Sequence, residues 1–239
     1  MIRLTNVKKK FGSFTAVNNL NIQVGKGELY GFLGPNGAGK TTTIKMMTGL
    51  FAPTSGTVLM NGFDVQRQPL QAKLHVGYIP DQPFLYEKLS GKEFLFFSAG
   101  LHKMEHSKIA PRVQEVIEML ELGPWIERRV EDYSQGMRQR TAIASALLHS
   151  PSVLVIDEPM VGLDPRSAHV VKQLFKSLTR DGIAIFMTTH SLNVAEELCD
   201  RIGIIKDGDL IFENSLAELQ SFKHRYDGKF ESVFLEMTK

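Results

Sequence analysis

Residues Gly31–Thr43, GFLGPNGAGKTTT, decide how the chain is read. Four of the nine positions from Gly31 to Gly39 are glycine, and a lysine and three threonines follow at once. Glycine costs roughly 0.5–1 kcal/mol relative to alanine inside a regular element, so a cluster of it marks bare, bendable backbone. The residues before it, GELYGFLG, form a short apolar run that reads as a strand. Those after it, TTTIKMMTGL, read as a helix. The local order is therefore strand, glycine loop, helix.

Within that order Gly34–Thr41 fits the phosphate-loop pattern G-x-x-x-x-G-K-[ST]. Backbone N–H groups of such a loop curl around phosphates, and the N-terminus of the helix behind it adds a favourable dipole. Lys40 is expected to reach the β- and γ-phosphates and the Thr41 hydroxyl to ligate Mg²⁺. Asn36, Gly37, Ala38, Gly39 and Thr42 complete the expected contact set. The motif implies binding of a nucleoside triphosphate.

Working outward, IRLTNVKKKF and NLNIQV alternate in the manner of half-buried strands, and GTVLMNGFDV carries Asn61-Gly62 between apolar runs, a hairpin signal. HVGYIP is another short strand. From about residue 84 to 150 helical patterns take over, in GKEFLFFSAGLH, APRVQEVIEMLELG and QGMRQRTAIASALLHS. Strands and helices then alternate again: VLVID, a helix from Pro165, IAIFMTT, a helix from Ser191, and RIGIIKDGDLIFE with a turn at Asp207-Gly208. Such alternation implies a parallel sheet with helices on both faces. The expected fold is α/β: a phosphate-loop nucleoside triphosphatase core with a mixed sheet flanked by helices, an N-terminal antiparallel β subdomain and an inserted helical subdomain. On this reading residues 1–83 and 151–225 form the core, 84–150 the helical insertion and 226–239 a C-terminal tail.

Composition sets bounds. With 239 residues, 43% apolar and 23% charged, the chain can bury a sizeable core. A net charge of +2 gives no argument for a nucleic-acid partner. The single cysteine, Cys199, excludes intramolecular disulfides and cysteine-based zinc sites. No apolar run approaches the roughly 20 residues of a membrane span, and MIRLTNVKKKF lacks the apolar core of a signal peptide, so a soluble, untargeted chain is expected.

A second chemical element stands at VLVIDEP: four apolar strand residues followed by Asp157 and Glu158. Successive strand side chains point opposite ways, which assigns the two acids different roles. Asp157 would hold Mg²⁺, and Glu158 would orient and deprotonate the attacking water.

At this point the chain resembles the nucleotide-binding subunits of ATP-binding cassette (ABC) transporters, through five segments in order: GPNGAGKT, YSQGMRQR, VLVIDEP, GLDP and TTH. The resemblance implies that the nucleotide is ATP and that Phe11, followed by Gly12, stacks on adenine. It implies that Asp164 reaches across a dimer interface, although an N-cap before Pro165 explains that aspartate as well. His190 matches the switch histidine that contacts the γ-phosphate.

Two segments depart from the family pattern. The usual Leu-Ser-Gly-Gly-Gln is Tyr133-Ser134-Gln135-Gly136-Met137 here, so Ser134 and Gly136 remain to meet a phosphate. Ser134 is also placed to cap its own helix. In GYIPDQP the metal-sensing glutamine aligns with Asp81, and Gln82 follows; either can fill that role, aspartate as a hard oxygen donor.

The resemblance further implies a head-to-tail dimer in which Ser134 and Gly136 of one copy close over the phosphate loop of the other. It implies a separate transmembrane permease, contacted in part through PFLYEKLSGKEFLFFS, and a place on the cytoplasmic face of the cell membrane. FESVFLEMT is similar to the ending of exporter-type cassettes, which points to export. A non-transport cassette acting as an ATP-gated regulatory module is the alternative, separated by an absence of turnover despite Glu158. The long coiled coil of DNA-repair cassettes, the paired cassettes of ribosome-associated members and the base-reading Asn/Thr-Lys-x-Asp of GTPases are not found in the sequence.

Overall fold

The computed structural model describes residues 1–218 and Phe234, so the FESVFLEMT tail lies outside the described residues apart from that phenylalanine. The chain begins with β1 (Ile2–Phe11), β2 (Phe14–Val24), β3 (Leu29–Leu33) and α1 (Lys40–Met47). β4 (Ser55–Met60), β5 (Phe63–Asp64), α2 (Pro69–Leu74) and β6 (Val76–Ile79) follow. The helical middle holds α3 (Gly91–Leu101), α4 (His106–Met119) and α5 (Gln135–Leu147). β7 (Val153–Asp157), α6 (Pro165–Arg180), β8 (Ala184–Thr188), α7 (Leu192–Leu198), β9 (Arg201–Lys206) and β10 (Asp209–Ser215) complete the described fold.

Two sheets result. An antiparallel one has the order β2-β1-β4-β5, and a six-stranded one the order β10-β9-β3-β8-β7-β6. The larger sheet is parallel from β9 to β6, with β10 added antiparallel at its edge through the Asp207-Gly208 turn. Both residues of that turn have positive φ, 50° and 87°, as do Asn61 and Gly62 at 50° and 89°. A two-residue hairpin that matches the strand twist requires this, hence Asn or Asp followed by Gly.

The central strands are apolar on both sides because they divide two cores. Leu154 and Ile156 of β7, with Ile185 and Met187 of β8, face α3–α7. Val153 and Val155, with Ala184 and Phe186, face α1 and the antiparallel sheet. The period-2 alternation hidden inside a continuous apolar run thus becomes two packed layers. One face is therefore covered by helices, and the other by α1, α2 and the second sheet rather than by helices alone. The alternating strands β1, β2 and β4 bury Ile2, Leu4, Ile22 and Val58 there.

Two local features differ from expectation. α4 starts at His106, four residues before the expected start, and carries Pro111 inside it. Its buried Val113, Val116 and Ile117 anchor the helix despite the lost N–H. α2 is unforeseen because six residues are too few for a helical period to show.

Candidate functional site

The parallel sheet gathers the site at the carboxyl ends of its strands. Phe32 of β3 pairs with Thr188 of β8, and Thr188 pairs with Asp157 of β7, so the three stand in one row across the sheet. The glycine loop leaves β3 two residues beyond Phe32 and enters α1 at Lys40. This is where open α/β sheets bind ligands.

The loop needs glycine at two positions of positive φ, Gly37 at 81° and Gly39 at 112°. A Cβ on Gly39 would stand 2.5 Å from the Ala16 carbonyl oxygen. The β9–β10 turn props the loop from outside. Gly208 N–H donates to the Ala38 oxygen at 3.0 Å, while Asn18 N–H donates to the Gly208 oxygen at 2.8 Å. The Lys40 ammonium donates to the carbonyls of Gly34 at 2.6 Å and Pro35 at 3.0 Å, inside its own loop. Burial lowers its pKa, and the charges of Glu158 and Asp157 oppose that shift.

Asp157, the last residue of β7, is buried and accepts a short hydrogen bond from the Thr188 hydroxyl. Glu158 does not continue the strand. Its φ is +48°, and its N–H donates to the Thr188 oxygen at 3.2 Å. That turn corrects the expectation of opposite side-chain directions: both carboxylates line one cavity. A left-handed residue other than glycine is strained and concentrates at functional positions. Glu158 Oε1 lies 2.9 Å from Nδ1 of His190, whose side chain is mostly exposed.

The shared cavity has a volume of about 440 Å³, within the range of small-ligand sites. Phe11, Asn36, Gly37, Gly39, Lys40, Thr41, Thr42, Asp81, Asp157 and Glu158 line it, together with Phe14 and Ala16. Ala38 instead turns into the core under the antiparallel sheet. Gln82 is exposed and does not line the cavity, whereas Asp81 does.

Ser134 and Gly136 do not line it either. Ser134 caps α5, its Oγ accepting from Met137 N–H at 3.2 Å. A Cβ on Gly136 would come 3.3 Å from the Gly162 oxygen. Asp164 caps α6, accepting from the Ser167 N–H at 2.9 Å and from its hydroxyl at 2.7 Å, which holds its carboxyl below the usual range.

Sequence reasoning missed Phe14 and the Thr188 bridge. Both were within sight: Phe14 lies across the Gly12 turn from Phe11, and Thr188 opens the TTH segment. Away from the cavity, Phe84, Tyr86, Phe96 and Phe97 of PFLYEKLSGKEFLFFS are exposed, and Phe94 alone of its aromatics is buried. Beside them lies a second hollow of about 350 Å³, lined by Leu50, Tyr78, Phe84 and His149 among others.

The chain is similar in sequence and fold to known proteins. The family model described as ABC transporter matches residues 17–161. The linearmycin resistance ATP-binding protein LnrL of Bacillus subtilis is 37% identical over 221 residues, covering 92% of this chain and 71% of that one. The Nod factor export ATP-binding protein I of Cupriavidus metallidurans is 37% identical over 219 residues, 92% of this chain and 72% of that one. Among solved structures, a dimeric post-hydrolysis state of the ATP-binding cassette MJ0796 with ADP and Pi superposes with a TM-score of 0.82. It has 29% identity and covers 90% of this chain and 99% of its own.

Proposed function

The chain belongs to the ABC transporter family as an ATP-binding, ATP-hydrolysing subunit, and from that premise we propose that it powers export through a separate membrane permease. The observation that carries the reading is the cavity that joins the Lys40 loop to Asp157 and Glu158. One end offers backbone N–H groups and an ammonium to a polyphosphate. The other offers a carboxylate, held by His190, to a water attacking the terminal phosphate.

Thr41, Asp81 and Asp157 fit Mg²⁺. They are hard oxygen donors on one cavity, and two carboxylates and a hydroxyl suffice for an ion that keeps water and phosphate oxygens in its other positions. The ion would neutralise charge on the transferring phosphoryl group. Among the described residues no cluster of three or more His, Cys, Asp or Glu forms a protein-only metal cage, which agrees with such a shared site.

Ser134 and Gly136 belong, on this reading, to the site of a second copy. The capping bond uses an acceptor lone pair of Ser134 and leaves its O–H free to donate to a γ-phosphate. Their absence from this chain's own cavity supports a head-to-tail dimer, and the cassette MJ0796 forms a dimer in its ADP- and Pi-bound state. No helix among the described residues is long and apolar enough to cross a membrane. The hollow beside Phe84 and Tyr86 is our candidate for the permease contact, and on this reading the subunit works at the cytoplasmic face of the membrane. Export is favoured by the Nod factor export relative.

Mixing two inactive variants tests the composite site. Lys40→Ala damages the phosphate loop and Ser134→Glu sets a negative charge against the γ-phosphate. A head-to-tail heterodimer collects both lesions in one site and leaves the other intact, so ATPase activity should return on mixing. Should the mixture stay as inactive as either parent while an ATP-dependent heterodimer forms, independent composite sites are ruled out.

A further inference from the structure

We propose that Phe14 is a second base-holding aromatic, presenting its ring to the purine alongside Phe11. The inference rests on the nucleotide reading of the cavity and adds a residue to it. β1 and β2 are joined through Gly12 and Ser13, with Gly12 at φ 59°, and Phe11 and Phe14 are directly opposed in the antiparallel register. Opposed residues of an antiparallel pair send their side chains to the same side. Both line the cavity, and with Ala16 they are its apolar wall, the rest being loop glycine and polar groups.

The two rings differ in what already occupies them. Phe11 packs edge to face against Phe51, centroids 5.6 Å apart, and the Lys9 ammonium lies 5.0 Å from its ring. Phe11 is 44% exposed, whereas Phe14 is 63% exposed. A phenylalanine left this far in water at the mouth of a cavity gains apolar burial when a flat, weakly polar ligand lies on it. With phosphates against Gly37–Thr42, a nucleoside base finds that flat apolar surface on the β1–β2 hairpin. Stacking of this kind tolerates any base and rewards the larger purine.

The test is calorimetric binding of ADP and of inorganic pyrophosphate, two ligands that share phosphates and differ in the nucleoside. Phe14→Ala should weaken ADP by at least about 5-fold, the low end of base–aromatic stacking, and leave pyrophosphate unchanged. Phe14→Tyr should restore ADP binding, which guards against a misfolded alanine variant. Unchanged ADP affinity in Phe14→Ala overturns the proposal, including the case where only ATP-driven dimerisation suffers, for the ring would then serve the dimer. Equal weakening of both ligands also overturns it, because the ring would then act through the loop. Lys40→Ala provides the separate check: it should weaken both ligands, and if it changes neither, the nucleotide reading of the cavity fails rather than the role of Phe14.

Discussion

Replacing Gly39 and Gly37 by alanine, one at a time, probes why the loop has its glycines. The two substitutions remove the same freedom in different surroundings. At Gly37 φ is 81° and a Cβ would meet nothing within 4 Å among the described residues. Only the left-handed backbone penalty applies there, about 1–2 kcal/mol. At Gly39 φ is 112°, and the Cβ would stand 2.5 Å from the Ala16 carbonyl oxygen, with Val17 and Ile205 side chains at 3.3 and 3.2 Å. Strain of about 1–3 kcal/mol is then joined by a clash against backbone that β2 holds in a sheet. A total of about 3 kcal/mol or more is expected, which for a domain of this size lowers Tm by roughly 6–12 °C. Gly37→Ala should lose roughly one to two thirds as much. Thermal unfolding of both variants, with ATP affinity beside it, measures the difference. Equal Tm losses would refute the argument, since they would mean that the Ala16 contact costs nothing.

Three further outcomes follow from the geometry. Thr188→Val removes the hydroxyl that fixes Asp157, and loss of such an outer partner typically weakens a metal site about 10–100-fold, so half-maximal ATPase activity should need correspondingly more Mg²⁺. An unchanged Mg²⁺ titration would speak against Asp157 as a ligand. His149 stacks on His102 with centroids 3.9 Å apart, donates from Nε2 to the Val76 oxygen at 3.1 Å, and leaves a buried Nδ1 without a hydrogen-bond partner among the described residues. Burial first, and then the facing His102, pull its pKa down to about 4. The unfolded imidazole titrates near 6.5, so the unfolded state takes the proton first. The stability this group contributes is thus complete above about pH 6.5 and is lost as pH falls towards 4. Tm should drop between pH 7 and pH 5, and His149→Phe should flatten that drop; an unaltered slope would count against it. Finally, the Cys199 thiol is buried and its pKa is raised by desolvation, so a thiol reagent should label it only on unfolding, and fast labelling of the folded protein would contradict the packing of α7.

How much could be read beforehand depended on whether the chemistry was local. The Gly31–Thr43 stretch gave strand, loop and helix because backbone freedom and periodicity are written within thirteen residues. The Asn61-Gly62 and Asp207-Gly208 turns were legible for the same reason. The order β2-β1-β4-β5 was not, since β4 returns past β3 to pair with β1 and no local signal encodes that pairing. Glu158 was read as a strand residue; its left-handed turn depends on Thr188 of the neighbouring strand. Phe14 went unnoticed because its place beside Phe11 follows from a register, which a one-residue slip would have reversed. Nor could the sequence tell how Asp81 and Gln82 stand relative to the cavity; the loop's path brings only Asp81 to its wall.

Glu158→Gln tests the central claim most directly. The amide keeps the size of the side chain and its place beside His190 but cannot accept a proton from water. The account predicts that ATP still binds with near-native affinity, that hydrolysis falls by about 10²–10⁴-fold, and that an ATP-held dimer accumulates on size-exclusion chromatography. Hydrolysis at the native rate in this variant would contradict it, for the carboxylate at the end of β7 would then have no part in activating the water.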